Sequence, residues 1–210
     1  NYYGGNNPIA LAAGNYDADA AIELAAANYG PNTVTILQPN GTQLLAEDPA
    51  GTGIRTGAGR GNLANTSDLD YWSFTGRAGQ RLVVASEVPG HPGNSGLLYE
   101  IYRPDGPRLL YFYAANNGTG QSDPAVLPVD GTYTVRVRYN WQYWGEYRLR
   151  VTLAPPPWQL ESEDNNNVAQ ADVPTLTRQG TNQWADVLGY IRYGDPGDVY
   201  WLKHLPSDSE

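Results

Sequence analysis

The sequence predicts an all-β protein, in which an antiparallel β-sandwich is followed in tandem by part of a second one. Residues 131–153 contain two runs of alternating apolar and polar side chains, which is the period of a strand with one buried face. From residue 67 onward, turn signals recur at intervals of about eight to twelve residues, a spacing typical of β-sandwiches. Sixteen tyrosines, six tryptophans and 24 glycines suit short strands joined by many turns.

The composition also excludes several classes of protein. The formal net charge of −9 disfavours a nucleic-acid-binding protein, because contacts to phosphate need a basic surface. The chain has no cysteine, which excludes disulfides and thiolate catalysis. No apolar run approaches the roughly twenty residues of a membrane-spanning helix. The two histidines, His91 and His204, show no spacing typical of a Ser-His-Asp triad, so we predict no catalytic residues.

Residues 1–60 are predicted to form a partial module or an insertion of uncertain fold. The alanine-rich segments 9–13 and 20–27 are compatible with helical turns and with strands. Residues 33–45 predict a strand, a Pro-Asn-Gly turn and a second strand. Glycine and small polar residues dominate residues 47–66, and we predict a long surface loop there.

Residues 61–153 contain the elements of one complete sandwich. The same alternation and turn signals predict five strands before the final pair, near residues 69–74, 81–87, 97–102, 108–113 and 125–128. The final pair, 133–139 and 147–153, is predicted to form an antiparallel hairpin with one apolar face. The other face of this hairpin would carry four arginines, Arg136, Arg138, Arg148 and Arg150.

Residues 154–160 form a proline-rich linker, and residues 161–210 are predicted to be the first half of a second sandwich. Short segments of this tail repeat earlier ones: residues 165–171 match 6–12, and residues 197–201 match 68–72. Strands are predicted at 186–193 and after Gly197. Half a sandwich would leave an apolar face and a strand edge open, which indicates that another copy covers them.

Five sequence motifs carry a resemblance to a known family. They are DLDYWSF at 68–74, AGQRL at 78–82, IYRPDG at 101–106, LPVDGTYTVRV at 127–137 and GEYRLRVTL at 145–153. Together they resemble the bacterial pre-peptidase C-terminal domain, a secreted jelly-roll-like sandwich. The tail resembles the start of the same domain, through ESEDNNNVAQA and the later GDVYW. The resemblance implies an extracellular or cell-surface bacterial protein that binds or assembles and has no catalysis of its own.

A second resemblance covers residues 11–40, which are similar to the integrin-type FG-GAP (VCBS) repeat. In that repeat a loop of alternating acidic residues surrounds calcium. Asp17 and Asp19 keep the pattern here, whereas Ala20 and Ala21 occupy the end of the loop. Calcium needs six or more oxygen ligands, so this departure weakens the implied site.

Acidic residues at the head of the tail and some thirty residues further on form a candidate calcium site. In clostridial members of the pre-peptidase C-terminal family, acidic residues at the corresponding head bind calcium, and oxygen-rich clusters suit that hard ion. A solvated linker is the alternative interpretation. The residues that the resemblance implies as ligands are Glu161, Glu163, Asp164, Asp195 and Asp198.

Aromatic residues crowd the tip of the predicted hairpin, and we predict a binding surface there. Trp141, Tyr143 and Trp144 could stack on sugars or anchor a protein partner, because their rings bring large area at low entropy cost. The alternative is that some of these rings close the end of the core, as we expect for Tyr147. The arginine face could meet an acidic partner, or it could simply face solvent.

These observations lead to two hypotheses about function. The first is a non-catalytic extracellular structural or adhesive repeat that self-associates into a larger assembly or fibre, with copies completing each other's partial sandwiches. The second is a carbohydrate- or matrix-binding accessory module of a secreted bacterial enzyme. Expected partners are other copies or neighbouring modules, or a glycan or matrix protein, and calcium is the expected cofactor.

Overall fold

A computed structural model describes residues 8–14, 23–28, 33–37, 45–189, 191 and 195–202. In these residues the chain forms strands and no helix, and therefore has no helix that could cross a membrane. The strands are β1 (Pro8–Gly14), β2 (Glu23–Asn28), β3 (Thr33–Leu37), β4 (Ala46–Glu47), β5 (Arg55–Asn62), β6 (Leu69–Gly76), β7 (Arg81–Glu87), β8 (Leu98–Tyr102), β9 (Arg108–Tyr113), β10 (Gly120–Gln121), β11 (Ala125–Val126), β12 (Gly131–Arg138), β13 (Glu146–Ala154), β14 (Gln159–Leu160), β15 (Thr177–Gln179), β16 (Asn182–Trp184) and β17 (Val187–Leu188).

The chain divides into two units, residues 1–42 and residues 43–210. In the first unit, β1, β2 and β3 form an antiparallel sheet in that order. The alanine-rich segments that the sequence left open between helical turns and strands therefore contribute strands. Asp17 and Asp19, the residues of the FG-GAP resemblance, lie outside the described residues, as does the predicted turn at 39–41.

The second unit contains an antiparallel β-sandwich, which confirms the predicted fold class. Sheet I has the strand order β10-β7-β13-β5-β4, with β11 also paired to β7, and sheet II has the order β6-β12-β8-β9. The buried side chains of the two sheets form one cluster between them, and alternate residues of each strand face it. The largest fully buried side chains include Tyr99 and Tyr133 from sheet II and Tyr147 from sheet I.

The prediction that residues 131–153 form a hairpin is wrong, because its two strands do not pair with each other. β12 lies in sheet II between β6 and β8, whereas β13 lies in sheet I between β7 and β5. The chain crosses from one sheet to the other at residues 139–145, so both apolar faces point into the same core. The four arginines consequently do not share a face. Arg136 and Arg138 lie on the outside of sheet II, and Arg148 and Arg150 lie on the outside of sheet I.

The glycine-rich segment predicted as a loop instead contains β5, which pairs with β13 along its whole length. The glycines of β5 lie at alternate positions opposite large inward side chains of β13, with Gly61 opposite Tyr147 and Gly59 opposite Leu149. A Cβ atom on Gly61 would lie 2.3 Å from the phenol oxygen of Tyr147. The glycines therefore make room for the core, and the segment remains extended because β13 supplies its hydrogen bonds.

The tail differs from the predicted half-sandwich. β14 and β17 form a short parallel pair, β15 and β16 form a hairpin, and Asp172 and Tyr200 form a single parallel bridge. The predicted strand at 186–193 is limited to β17 within the described residues. Leu160 packs with Ile54, Val83 and Ala154 on the outside of sheet I, so the segment predicted as a linker covers part of the sandwich.

A buried chain of hydrogen bonds joins the two sheets near the crossing. The indole Nε1–H of Trp72 donates to the phenol oxygen of Tyr147 at 2.8 Å, and the Tyr147 hydroxyl donates to Asp70 Oδ2 at 2.7 Å. Burial raises the pKa of the Asp70 carboxyl, and the Tyr147 hydrogen bond partly opposes this rise. Tyr147 is fully buried, as the sequence predicts. Its hydroxyl also connects the two sheets through hydrogen bonds, which a buried tyrosine hydroxyl needs.

Replacement of Tyr147 by phenylalanine is expected to lower the free energy of unfolding by about 2 kcal/mol at neutral pH, because an ionised carboxylate and an indole N–H lose their partner. A raised pKa means that ionised Asp70 costs stability, so native stability from this group is greatest below pH 3.8 and falls as the pH rises through the folded pKa. The Tyr147 hydrogen bond favours the ionised form of Asp70. The effect of Tyr147→Phe should therefore be smaller in acid, where Asp70 is protonated.

Urea unfolding at several pH values measures this effect. Tyr113→Phe is the matched control, because Tyr113 is 56% exposed, and it should change stability by less than about 0.5 kcal/mol. Equal losses in the two variants would contradict a role for the buried hydrogen bonds.

Candidate ligand-binding surfaces

The outside of sheet II carries rows of side chains that run across the strands. The strand register places Tyr71, Arg136, Glu100 and Tyr111 in one row. The next row contains Leu69, Arg138, Leu98 and Tyr113. We call this surface the tyrosine–arginine face, and define it as Tyr71, Glu100, Tyr102, Arg108, Tyr111, Tyr113, Arg136 and Arg138.

Glu100 is the centre of this face, and its side chain is almost completely buried. Three arginines donate to its carboxylate. Arg136 Nη2 lies 2.7 Å from Oε2, Arg138 Nε lies 3.1 Å from Oε2, and Arg108 Nη1 lies 3.0 Å from Oε1. Sequence reasoning missed Glu100. The signal that could have found it is a single acidic residue at an outward position of the otherwise apolar and aromatic strand LYEIY.

The electrostatics of Glu100 are set by two opposing effects. Burial by itself would raise the pKa of the Glu100 carboxyl, but the hydrogen bonds from Arg136, Arg138 and Arg108 outweigh it and hold the pKa below the usual value. The carboxylate is therefore ionised at neutral pH. Three guanidinium groups around one carboxylate leave this face with a net charge of about +2, in a chain whose formal charge is −9.

Aromatic rings surround the arginine cluster. The guanidinium of Arg108 lies 4.5 Å from the ring centroid of Tyr111, and that of Arg136 lies 5.1 Å from the centroid of Tyr102. Tyr111 and Tyr113 meet edge to face at 5.7 Å. Tyr71, Tyr111 and Tyr113 are all exposed, so the outside of sheet II presents rings and guanidinium groups together.

The crossing between the sheets presents the aromatic tip that the sequence predicts. Trp141 is 60% exposed and Trp144 is 51% exposed, which decides against the alternative that they close the core. Tyr143 is half-buried, and its hydroxyl donates to the Glu146 carbonyl at 2.8 Å. Tyr139 packs beside Trp144 at 6.4 Å between ring centroids. We call Trp141, Tyr143 and Trp144 the aromatic tip.

The other two predicted arginines line small cavities on the outside of sheet I. Arg150 borders a cavity of about 260 Å³ that Leu160, Glu161 and Leu188 of the tail also line. Arg148 and Arg150 border a second cavity of about 190 Å³, which Ala85 also lines. Arg148 also lies near Glu87, with 3.4 Å between its Nη1 and Glu87 Oε1.

The tail brings together three of the five predicted calcium ligands. Glu161 is buried, and the Tyr200 hydroxyl donates to its Oε2 at 2.6 Å. Asp195 lies close enough to Asp198 for its charge to raise the pKa of Asp198. Burial, the charge of Glu161, and the charges of Asp195 and Asp172 raise the pKa of Asp198 to about 6. Glu163 is half-buried and Asp164 is exposed. Asp172 and Tyr200 are members of this cluster that sequence reasoning missed.

The cluster has the oxygen donors that calcium prefers. The fully buried Asn165 directs its Nδ2 to Glu161 Oε2 and Asp172 Oδ2, at 3.4 Å each. Within the described part of the chain, Asn165 Oδ1, Asp195 Oδ2 and Asp198 Oδ1 are buried and accept no hydrogen bond. No group of three or more acidic or histidine side chains among those residues is arranged to hold a metal ion, however. The donors are therefore suitable, whereas a complete coordination geometry is not formed.

Comparison with known proteins identifies part of the sandwich. Residues 68–138 match the family model of the bacterial pre-peptidase C-terminal domain. The match runs from the start of β6 to the end of β12 and confirms the resemblance that the sequence motifs predict. Domains of this family are non-catalytic accessory domains of secreted bacterial proteins. The partial second copy and the FG-GAP resemblance stay predictions.

The chain is also similar to several solved structures. The pre-peptidase C-terminal domain of a Bacillus anthracis collagenase is 16% identical and has a TM-score of 0.36, covering 45% of this chain and 86% of its own. PliG from Aeromonas hydrophila, a periplasmic inhibitor of g-type lysozyme, is 15% identical with a TM-score of 0.35, covering 53% of this chain and 96% of its own. No curated protein matches the chain.

Replacement of Glu100 by glutamine is expected to lower the free energy of unfolding by about 3 kcal/mol at neutral pH, because three arginines lose their shared counter-charge. A lowered pKa means that the carboxylate contributes its full stability above pH 4.5 and loses it as the pH falls through the folded pKa. The difference between the wild type and Glu100→Gln should therefore shrink in acid.

Chemical denaturation between neutral and acidic pH tests this expectation. Glu87→Gln is the control, because Glu87 also faces an arginine but its side chain is 36% exposed, and a loss below about 1 kcal/mol is expected. A loss for Glu100→Gln no larger than for Glu87→Gln would show that burial of the cluster contributes nothing.

Proposed function

We propose that the chain is a non-catalytic binding module of a secreted bacterial protein, and that its aromatic tip binds a carbohydrate or matrix ligand. The pre-peptidase C-terminal match supports an accessory role. The observation that carries the proposal is the exposure of Trp141 and Trp144 together at the crossing between the sheets. Exposed tryptophans near one another are typical of binding surfaces, because their rings gain most when a ligand removes them from water.

The backbone near the tip supports a surface of fixed shape. Tyr147, which lies two positions after Gly145, is held in the core by hydrogen bonds to Trp72 and Asp70. The backbone N–H of Leu63 donates to the Gly145 carbonyl at 3.0 Å, and the backbone N–H of Gln142 donates to the Tyr139 hydroxyl at 3.0 Å. A loop held at these points loses less conformational entropy when a ligand binds.

Self-association into a fibre stays a prediction. Its specific form required a tail with half of a sandwich, whereas the described tail pairs β14 with β17 and packs Leu160 on sheet I. We therefore favour the binding module. Sedimentation of the chain at high concentration tests self-association directly, and a monomer at all concentrations would contradict it.

Removal of either exposed tryptophan is expected to weaken ligand binding strongly while leaving the stability of the fold almost unchanged. Trp141→Ala and Trp144→Ala should each weaken binding to the best ligand of a glycan and collagen array by at least about tenfold, because a stacked ring is lost. Both variants should unfold within about 0.5 kcal/mol of the wild type, since the rings contribute little to the core.

Trp201→Ala is the matched control for this experiment. Trp201 is 55% exposed but lies in the tail, so its replacement should leave binding unchanged. Failure of the wild type to bind any member of the array, or equal losses in all three variants, would refute the proposed role of the aromatic tip.

We also propose that the acidic cluster of the tail binds calcium. Glu161, Asp195 and Asp198, joined by Asn165 and Asp172, supply oxygen atoms, and three buried oxygens of the cluster accept no hydrogen bond among the described residues. A divalent cation would neutralise carboxylates that otherwise repel one another. The side chains would have to converge further, because no complete metal-binding group is formed among the described residues.

Calcium is therefore expected to raise the melting temperature, and a chelator should reverse the increase, because only the folded chain gathers the ligands. Asp198→Asn should remove most of the increase. Asp105→Asn, at an exposed turn where Asp105 pairs with Arg103, should keep it. An identical melting temperature with calcium and with chelator would contradict the proposal, and magnesium in place of calcium tests its selectivity.

A further inference from the structure

We infer that the tyrosine–arginine face binds an anionic polysaccharide, one that carries carboxylate or sulfate groups along an extended chain. The inference rests on the proposed function of a binding module, and it adds a second surface and a ligand class. The aromatic tip offers rings at the crossing between the sheets. The outside of sheet II offers rings and fixed cationic groups together, which is a different recognition chemistry.

The first argument is the concentration of positive charge. Arg108, Arg136 and Arg138 all approach one carboxylate, although three guanidinium groups repel one another. Glu100 neutralises one of the three charges and fixes the position of all of them. The remaining charge of about +2 is complementary to an anionic ligand, while the −9 charge of the whole chain repels polyanions elsewhere.

The second argument is the supply of hydrogen-bond donors. A guanidinium group has five N–H bonds. Among the described residues, Arg138 uses only its Nε–H on Glu100, and Arg108 uses only an Nη1–H. The Arg138 side chain is 43% exposed. Both arginines therefore keep donors for a ligand, and the planar guanidinium matches carboxylate and sulfate geometry in pairs of hydrogen bonds.

The third argument is the placement of the rings. Tyr71 on β6 and Tyr111 on β9 lie at opposite ends of one row, three strand spacings apart, which is about 14 Å. Arg136 and Glu100 lie between them. A polymer that crosses the strands along this row could stack sugars at both ends and place its anionic groups over the arginines. The neighbouring row, Ser73, Thr134 and Tyr102, adds hydroxyl groups suited to sugar hydroxyls.

The alternating rings and cations favour a polysaccharide over an acidic protein or a duplex nucleic acid. Sugar rings stack on tyrosine, which a duplex phosphate backbone does not do. The net charge of the chain also opposes the approach of a broad polyanionic surface such as duplex DNA. Attachment of an acidic surface from a second copy of this chain would use the arginines and leave the outer tyrosines without a partner of matching chemistry.

The test compares polygalacturonate and heparin with neutral dextran, by calorimetry at low and physiological salt. The wild type should bind an anionic polymer, more weakly as salt rises, and should not bind dextran through this face. Arg138→Gln should weaken binding about fivefold, since it removes one charge and leaves two arginines on Glu100. Tyr111→Ala should weaken binding by a similar factor, because the polymer loses the ring contact at one end of the row.

Arg148→Gln is the matched control. Its side chain is 48% exposed and carries the same charge, but it lies on the outside of sheet I. Binding within about twofold of the wild type supports the assignment of the face, whereas equal losses for Arg138→Gln and Arg148→Gln would overturn it. Duplex DNA binding as tight as polysaccharide binding would also overturn it. So would a change of oligomeric state in Tyr111→Ala during sedimentation, because the face would then be a contact between copies of the chain.

The same experiments separate this inference from the proposed function. Loss of collagen or neutral-glycan binding in Trp141→Ala, with no binding of either anionic polymer by the wild type, would leave the proposed function standing and refute the inference. No binding to any anionic polymer, neutral glycan or collagen would refute both. Circular dichroism and urea unfolding of each variant confirm that the loss of binding is not a loss of fold.

Discussion

The packing of Tyr147 against Gly61 is the contact on which the rest of the sandwich depends. A side chain larger than hydrogen at position 61 would overlap the phenol ring, so β5 can pair with β13 only because it carries glycine there. The same ring meets Trp72 and Tyr99 of sheet II edge to face, at 6.5 Å and 6.2 Å between centroids. Tyr147 therefore fixes the distance between the sheets and the position at which the chain crosses between them.

The outer faces of the two sheets differ in how far the rest of the chain covers them. Sheet I is partly covered, because Leu160 of the tail packs on Ile54, Val83 and Ala154. The tyrosine–arginine face of sheet II keeps Tyr71, Tyr111 and Tyr113 exposed. The exposed outer face of sheet II is therefore more accessible to a ligand than the partly covered face of sheet I. The aromatic tip lies where the chain crosses between the sheets.

Two buried carboxylates show how their surroundings decide the role of a charge. Glu100 is surrounded by arginines, so its pKa is lowered and its charge stabilises the sheet. Glu161 is also buried, but its neighbours Asp172, Asp195 and Asp198 are acidic, and the pKa of Asp198 is raised. In the first cluster the Glu100 carboxylate is neutralised by arginines, and the three guanidinium groups together leave an excess of positive charge. In the second cluster the neighbouring carboxylates raise the pKa of Asp198, which is the chemical reason for proposing calcium there.

The sequence by itself determined the local structure, because alternation of apolar and polar residues directly reports which side chains a strand buries. It predicted the strands of residues 69–153 except the short β10, and it also predicted the burial of Tyr147 and the pre-peptidase C-terminal resemblance. Only the tertiary structure decided which strands pair, since the pattern of β12 and β13 fits a hairpin and a crossing between sheets equally well. The separation of the four arginines, the strand at β5 and the cluster around Glu100 all follow from that pairing, which depends on contacts between residues far apart in the chain.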